Sequence, residues 1–120
     1  LCAEDNELNA EILSSILEVE GAKCTVYENG KLLADAFETV QPGEYDAILM
    51  DVQMPVMNGY EATRTIRKSR NPLGKTIPII AMTANAFSED IDECLAAGMN
   101  AHIAKPIDIA VLKNTMLKYL

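Results

Sequence analysis

A chain of 120 residues fits one domain, and its hydrophobic content of 49% with no Trp predicts a core of aliphatic side chains. The 18 acidic residues outnumber the 10 basic ones and give a formal net charge of −8, which argues against a nucleic-acid-binding surface because such surfaces need clustered Lys and Arg. Every apolar run falls short of the ~18 residues that span a bilayer. We therefore expect a cytoplasmic domain without direct membrane contact, which a membrane-anchored parent protein could carry.

The three cysteines, Cys2, Cys24 and Cys94, are odd in number and include no CxxC pair. This spacing fits neither a disulfide framework nor a zinc site. We expect reduced thiols that pack in the interior.

Strand-like and helix-like segments alternate along the chain. The first strand, 1–4, is shorter than the usual length of about five residues, which predicts a truncated or frayed N-terminal end. The later predicted strands are 23–27, 47–50, 79–82 and 101–104. The predicted helices are 6–19, 29–40, 59–68, 88–98 and 108–120, with Gly98 as a C-terminal cap. This alternation predicts a single α/β domain over 1–120, with a five-stranded parallel sheet covered by helices on both faces.

Polar residues close four of the five predicted strands. Glu4 and Asp5 close the first, Asp51 the third, Thr83 the fourth and Lys105 the fifth. Taken singly, these residues could be a helix cap, strand filler or a solvated turn. Because parallel strands end on the same edge of a sheet, however, all of them should surround one cleft. Crowded carboxylates favour a raised pKa or a bound cation, and oxygen ligands favour Mg²⁺.

The same motifs resemble those of a response-regulator receiver domain. They are Glu4-Asp5-Asn6, the MDVQMPVMNG stretch around Asp51, the MTA stretch that ends at Ala84, and Lys105-Pro106. The amino-acid sequence of these motifs is most similar to that of the receivers of hybrid sensor histidine kinases. The resemblance implies a doubly wound, flavodoxin-like fold and a role in a two-component phosphorelay. It also implies that Asp51 accepts a phosphoryl group from a histidine kinase or a histidine phosphotransfer domain, with the domain catalysing its own phosphorylation and dephosphorylation.

The resemblance further implies which residues hold the cofactor. Glu4, Asp5, Asp51 and the main-chain carbonyl of Gln53 would bind Mg²⁺ or Mn²⁺. This set is plausible because Mg²⁺ prefers carboxylate and carbonyl oxygens and completes its shell with water.

Other residues would act on the phosphoryl group itself. Thr83 and Lys105 would each bind one of its oxygens, which suits a transition state with charge spread over three oxygens. Ala84, being small, would leave the cleft open. Gln53 and Asn85 would lie near the path of the attacking water and set the lifetime of the phosphate.

His102 stands where the family usually carries Tyr or Phe as a rotating switch coupled to Thr83. An imidazole can still turn inward, but its apolar driving force is weaker than that of a larger aromatic ring. The resemblance thus implies a switch made of Thr83 and His102 that departs from the usual pair.

The first predicted helix has a wide apolar arc. Its apolar positions span about 180°, whereas a helix packed on one side of a sheet needs about 100°. We expect Leu8, Ile12 and Leu13 to include the exposed surplus and to dock the helical bundle that bears the donor histidine. The alternative is that the surplus packs under the last helix.

Three alternative functions fit the sequence less well. A phosphatase of the haloacid-dehalogenase kind needs a second acid two residues after the nucleophile, where this chain has Gln53. An interaction module that is never phosphorylated would be favoured by loss of the acidic residues or the lysine, and all are present. A nucleotide-binding flavodoxin-like protein would need a Gly-rich loop after the first strand, which the sequence lacks.

Overall fold

Five strands alternate with five α-helices, as the sequence predicts. The computed structural model describes residues 1–4, 7–19, 24–41, 45, 47–52, 57–83, 88–104 and 109–119. The strands are β1 (Cys2–Ala3), β2 (Val26–Tyr27), β3 (Ile48–Asp51), β4 (Ile79–Thr83) and β5 (Ala101–Ala104). The helices are α1 (Glu7–Val19), α2 (Gly30–Phe37), α3 (Gly59–Arg67), α4 (Ser88–Ala97) and α5 (Ile109–Tyr119), with a 3₁₀ turn at Pro72–Lys75.

The sheet is parallel throughout and has the strand order β2-β1-β3-β4-β5. The chain therefore moves outward from β1 to β2 and then returns across β1 to build β3, β4 and β5. Right-handed crossovers in these two directions place helices on both faces of the sheet. The reversal between β1 and β3 also opens a crevice beyond their carboxyl ends, which is where open α/β sheets bind ligands.

Two apolar clusters cover the two faces of the sheet. One includes Leu33 of α2, Ile66 of α3 and Cys94 of α4. The other includes Leu13 of α1 and Leu112 of α5. Every residue of β3 and β4 is buried, so these strands read as continuous apolar runs rather than as alternating ones.

The observed boundaries differ slightly from the predicted ones. β3 starts and ends one residue later than predicted, which makes Asp51 its last residue. α2 ends at Phe37, because the N–H groups of Thr39 and Val40 donate to carbonyls only three residues back, as in a turn. β2 is reduced to two residues, while position 23 of the predicted strand lies outside the described residues.

Gly98 ends α4, as predicted, and its φ of 106° is one that few other residues adopt without strain. Its N–H donates to the Leu95 carbonyl and the N–H of Met99 donates to the Cys94 carbonyl, which is the Schellman pattern. The guanidinium of Arg67 then binds the Gly98 carbonyl through Nε and a second nitrogen, at 2.9 and 2.7 Å. This contact ties the end of α4 to the end of α3.

Within the described ranges, no helix has both the length and the apolar character needed to cross a membrane.

Candidate functional site

Two carboxylates lie at the carboxyl ends of adjacent central strands. Ala3 of β1 pairs with Met50 of β3, so the next residues, Glu4 and Asp51, leave the two strands side by side. The N–H of Glu4 donates to the Tyr27 carbonyl at 3.0 Å, which continues the β1 to β2 ladder to this point. Both side chains are almost fully buried, with 5% of Glu4 and 3% of Asp51 exposed. The two carboxylates therefore lie on adjacent strand ends at one edge of the sheet.

Thr83 lies one residue beyond the level of Asp51 on the neighbouring strand. Asp51 pairs with Met82, and the N–H of Val52 donates to the Met82 carbonyl at 3.0 Å. The side chain of Thr83 is 5% exposed. Thr83 also pairs with Ala104, the last residue of β5, so β4 and β5 end at the same edge of the sheet.

The described part of the chain has five buried polar or charged side chains, and three of them are Glu4, Asp51 and Thr83. The other two support the framework. The Thr63 hydroxyl donates to the Gly59 carbonyl, and the Asn71 amide donates to two carbonyls at the end of α2. Burying two carboxylates at one edge is costly unless positive charge compensates them, which makes this edge the candidate site.

The N-terminus of α3 packs directly on the end of β3. The Asn58 side chain caps the helix by accepting the Glu61 N–H at 2.9 Å, and the Gly59 N–H donates to the Val52 carbonyl at 2.9 Å. A Cβ at Gly59 would collide with the carbonyl oxygen of Asp51. The sequence predicts that a helix begins at Gly59, but it does not indicate this close approach to Asp51. The available signal was a glycine at the first position of the helix that follows the strand ending at Asp51.

His102 occupies the second position of β5 and pairs with Ala81. It is half-buried. Because Ile103 belongs to the cluster on the α1 and α5 face, strand alternation directs His102 towards the opposite face, which α4 covers.

The exposure of side chains along α1 differs from the predicted docking surface. Leu13 is 4% exposed and packs with Leu17, one turn away, against the sheet, so its prediction as a docking residue was wrong. Ile12 is rotated about 100° from Leu13 around the helix and is 50% exposed. Leu8 belongs to α1 by its backbone, and its side chain lies outside the described part.

Several predicted site residues fall outside the described residues. They are Asp5, Gln53, Ala84, Asn85 and Lys105.

The arrangement defines a class of protein. A doubly wound parallel sheet with buried carboxylates beside its switch point is suited to hold a cation together with an anionic group such as phosphate. The family described as the response regulator receiver domain matches residues 1–117. The chain belongs to this family and is a receiver domain of phosphorelay signalling, which confirms the resemblance found in its motifs.

Two curated relatives are histidine kinases. The chain is 37% identical to Probable histidine kinase 1 of Oryza sativa subsp. indica over an alignment 149 residues long, which covers all of this chain and 15% of the relative. It is 35% identical to the sensor histidine kinase RcsC of Salmonella typhimurium over 119 residues, which cover 99% of this chain and 12% of the relative. The chain thus spans only a small part of the length of these proteins.

Two solved structures have the same fold, which confirms the predicted flavodoxin-like architecture. The receiver domain of the sensor histidine kinase PA1611 from Pseudomonas aeruginosa PAO1 is 40% identical with a TM-score of 0.87, covering 98% of this chain and 93% of that chain. That structure has a magnesium ion coordinated in its active site cleft. The receiver of Ssk1, solved with the Saccharomyces cerevisiae histidine phosphotransfer protein Ypd1, is 27% identical with a TM-score of 0.84, covering 98% of this chain and 85% of that chain.

Proposed function

We propose that Asp51 is the phosphoacceptor of this receiver domain. The observation that carries the proposal is the burial of Asp51 at the end of the central strand β3, beside Glu4 and one residue from the level of Thr83. A carboxylate oxygen of Asp51 attacks the phosphorus of a phosphohistidine. The bond from phosphorus to the imidazole nitrogen breaks. The imidazole is the leaving group, and Asp51 becomes an aspartyl phosphate.

The donor set of the site fits Mg²⁺. Glu4 and Asp51 supply carboxylate oxygens from adjacent strand ends, and we propose that Asp5 and the carbonyl of Gln53 complete the protein ligands. When bound, the cation neutralises charge on the phosphoryl oxygens as the transfer proceeds. Mn²⁺ prefers similar oxygen ligands and would serve as a substitute.

The remaining polar residues act on the phosphoryl group. The Thr83 hydroxyl donates a hydrogen bond to one phosphoryl oxygen, and the Lys105 ammonium pairs with another. Ala84 keeps space beside the group, and Gln53 and Asn85 limit how water reaches the phosphorus.

We propose that phosphorylation is read through Thr83 and His102. Both lie on adjacent strands at the β4 to β5 side of the sheet, and His102 is only half-buried, so its ring has room to change rotamer when Thr83 binds the phosphoryl group.

The phosphoacceptor is tested with acetyl phosphate and intact mass. We expect a gain of about 80 Da that requires Mg²⁺ and is lost on chelation, as one phosphoryl group is added. Asp51→Asn should abolish the gain, because an amide oxygen is too weak a nucleophile. Asp35→Asn, at an exposed position of α2, is the matched control and should be labelled normally. Labelling of the Asp51→Asn variant at another residue, or loss of labelling in the control, would reject the assignment.

We propose that Ile12 is part of the surface that receives the phosphohistidine partner, either a histidine kinase or a histidine phosphotransfer domain. It is 50% exposed on α1, and α1 begins at Glu7, shortly after β1 ends at Ala3. An exposed isoleucine at that place can pack against an apolar helix of the partner.

The docking proposal is tested by comparing two donors. Ile12→Ser should slow phosphotransfer from a purified histidine phosphotransfer protein while leaving phosphorylation by acetyl phosphate unchanged, because only the protein donor needs the surface. Val19→Ser is the control, since Val19 is 81% exposed on the same helix but at its far end. Equal slowing with both donors, or no slowing with either, contradicts the role of Ile12.

We propose that the domain works in the cytoplasm as one part of a hybrid sensor histidine kinase. Support comes from the similarity to histidine kinases of which the chain spans 12% to 15%. Within that parent protein, residues 1–120 would act as a single receiver domain, without direct membrane or nucleic-acid contact.

A further inference from the structure

Two of the three cysteines touch each other although 22 residues separate them in sequence. The sulfur atoms of Cys2 and Cys24 are 2.6 Å apart. Cys2 lies in β1, and its N–H donates to the carbonyl of Thr25, the residue after Cys24, at 2.9 Å. Cys94 packs in the cluster on the other face of the sheet, beside Tyr60. All three are free thiols that pack in the two apolar clusters, as the sequence predicts, but the sequence did not indicate that Cys2 and Cys24 are in contact.

We propose that Cys2 and Cys24 are a redox pair, which a hydroperoxide oxidises to a disulfide that joins β1 to the segment just before β2. The phosphorelay site does not use these thiols. Disulfides are rare in reducing compartments, and those that form there are mostly transient and redox-sensing. The sulfur atoms need to approach by only about 0.5 Å to reach the disulfide bond length of ~2.05 Å.

The two thiols are suited to different steps. Cys24 is half-buried and within reach of a small oxidant, whereas Cys2 is 2% exposed and is reached mainly through its partner. The hydrogen bond from Cys2 lowers the pKa of Cys24 to about 7, with a smaller contribution from the Ser14 hydroxyl and with burial acting in the opposite direction. A large fraction of Cys24 is therefore thiolate, the form that attacks peroxides.

The reaction balances with the hydroperoxide as the oxidant. The Cys24 thiolate attacks one peroxide oxygen and the O–O bond breaks, which gives a sulfenic acid on Cys24 and, after protonation, an alcohol or water. The Cys2 sulfur then attacks the Cys24 sulfur. The S–S bond forms, the S–O bond breaks, and the hydroxyl group leaves as water with the proton of Cys2.

The disulfide would close a loop that contains all of α1 and would fasten the edge strand β2 to the strand that leads into Glu4. β2 has only two residues and one neighbouring strand, so it is the part of the sheet that a covalent link restrains most. The link therefore adds a second covalent input to the domain, next to phosphorylation but chemically independent of it.

The test treats the reduced chain with hydrogen peroxide, removes the oxidant, and alkylates the denatured protein without reductant. We expect a mass loss of about 2 Da before alkylation, for two hydrogen atoms. Only Cys94 should then be alkylated, a peptide map should join Cys2 to Cys24, and dithiothreitol should restore three alkylated cysteines. Alkylation of all three cysteines after peroxide, stable oxygen addition without a cross-link, or a bond between two chains would overturn the proposal.

Variants identify the order of the steps. Cys2→Ser should stop the reaction at the sulfenic acid of Cys24, which a dimedone probe captures, whereas Cys94→Ser should form the disulfide like the parent chain. Circular dichroism verifies that each variant is folded. Dimedone capture at Cys94 but not at Cys24 in the Cys2→Ser variant would also refute the assigned roles, and the experiment on the parent chain decides the proposal even if that variant does not fold.

Discussion

Replacing Gly59 by Ala is expected to impair phosphorylation of Asp51 more than it destabilises the fold. A Cβ at this position would collide with the Asp51 carbonyl oxygen and would lie 2.9 Å from the Cα of Val52. Ordinary contacts of a Cβ begin near 3.4 Å. Because interiors are close-packed, α3 and the end of β3 must separate by about 0.5 Å or more to admit the methyl group.

The two effects have different magnitudes. Overpacking of this kind costs about 1–3 kcal/mol, which a domain of ordinary stability, roughly 5–15 kcal/mol, survives. A misplacement of about 1 Å at a reacting group can cost on the order of 100-fold in rate, so half that displacement should slow phosphorylation by about tenfold. The affected atoms belong to the main chain of Asp51, so side-chain rotation cannot fully restore its position.

Gly74→Ala is the matched control for this prediction. A Cβ there would collide with the Ile66 carbonyl oxygen, but Gly74 lies in the 3₁₀ turn before β4, near the amino ends of the strands. We expect both variants to lose similar stability in urea unfolding, and only Gly59→Ala to be labelled slowly by acetyl phosphate in a mass time course. A folded Gly59→Ala variant that is labelled at the parent rate, or equal slowing of both variants, would refute the reasoning.

Two further predictions concern the framework and the thiols. Arg67→Met should lower the free energy of unfolding by about 2 kcal/mol without slowing phosphorylation. The reason is that the guanidinium donates to the carbonyls of Gly98, Gly74 and Ile77, near the amino ends of the strands. A variant that is as stable as the parent chain in urea unfolding would contradict this prediction. Alkylation of Cys24 by iodoacetamide should accelerate as pH rises through about 7, since the hydrogen bond from Cys2 lowers its pKa to about 7 and the thiolate is the reacting form. A midpoint near the usual thiol value of ~8.5 would show that this hydrogen bond is absent in solution.

The features that local patterns encode could be predicted from the sequence. β3 and β4 are buried on both faces and read as apolar runs, and the turn after α4 needs a residue such as Gly98. Strand ends follow from such patterns, and the shared edge of a parallel sheet then brings Asp51 and Thr83 together. Placing both residues at this edge needed no knowledge of which strands are neighbours, whereas their closeness depends on the pairing of β3 with β4.

The missed features depend on packing between distant segments. The contact of Cys2 with Cys24 requires that β1 and β2 be adjacent and in a particular register, which spacing alone does not encode. The apolar arc of α1 gave the width of its apolar face but not its rotation about the helix axis, so it could not tell buried Leu13 from exposed Ile12. Local sequence does not distinguish Arg67 from an ordinary last-turn basic residue, since its acceptors lie 7 to 33 residues further along the chain.

Main-chain hydrogen bonds fix the position of Asp51, the proposed phosphoacceptor, at the end of β3. β3 is hydrogen-bonded to strands on both sides, and Val52 accepts from Gly59 while donating to Met82, so the main chain at Asp51 is held from three directions. Such a position gives the nucleophile one orientation whatever partner approaches. Differences in partner choice between receivers of this fold should therefore arise on surfaces such as the exposed side of α1, whose backbone is not hydrogen-bonded into the sheet in this way.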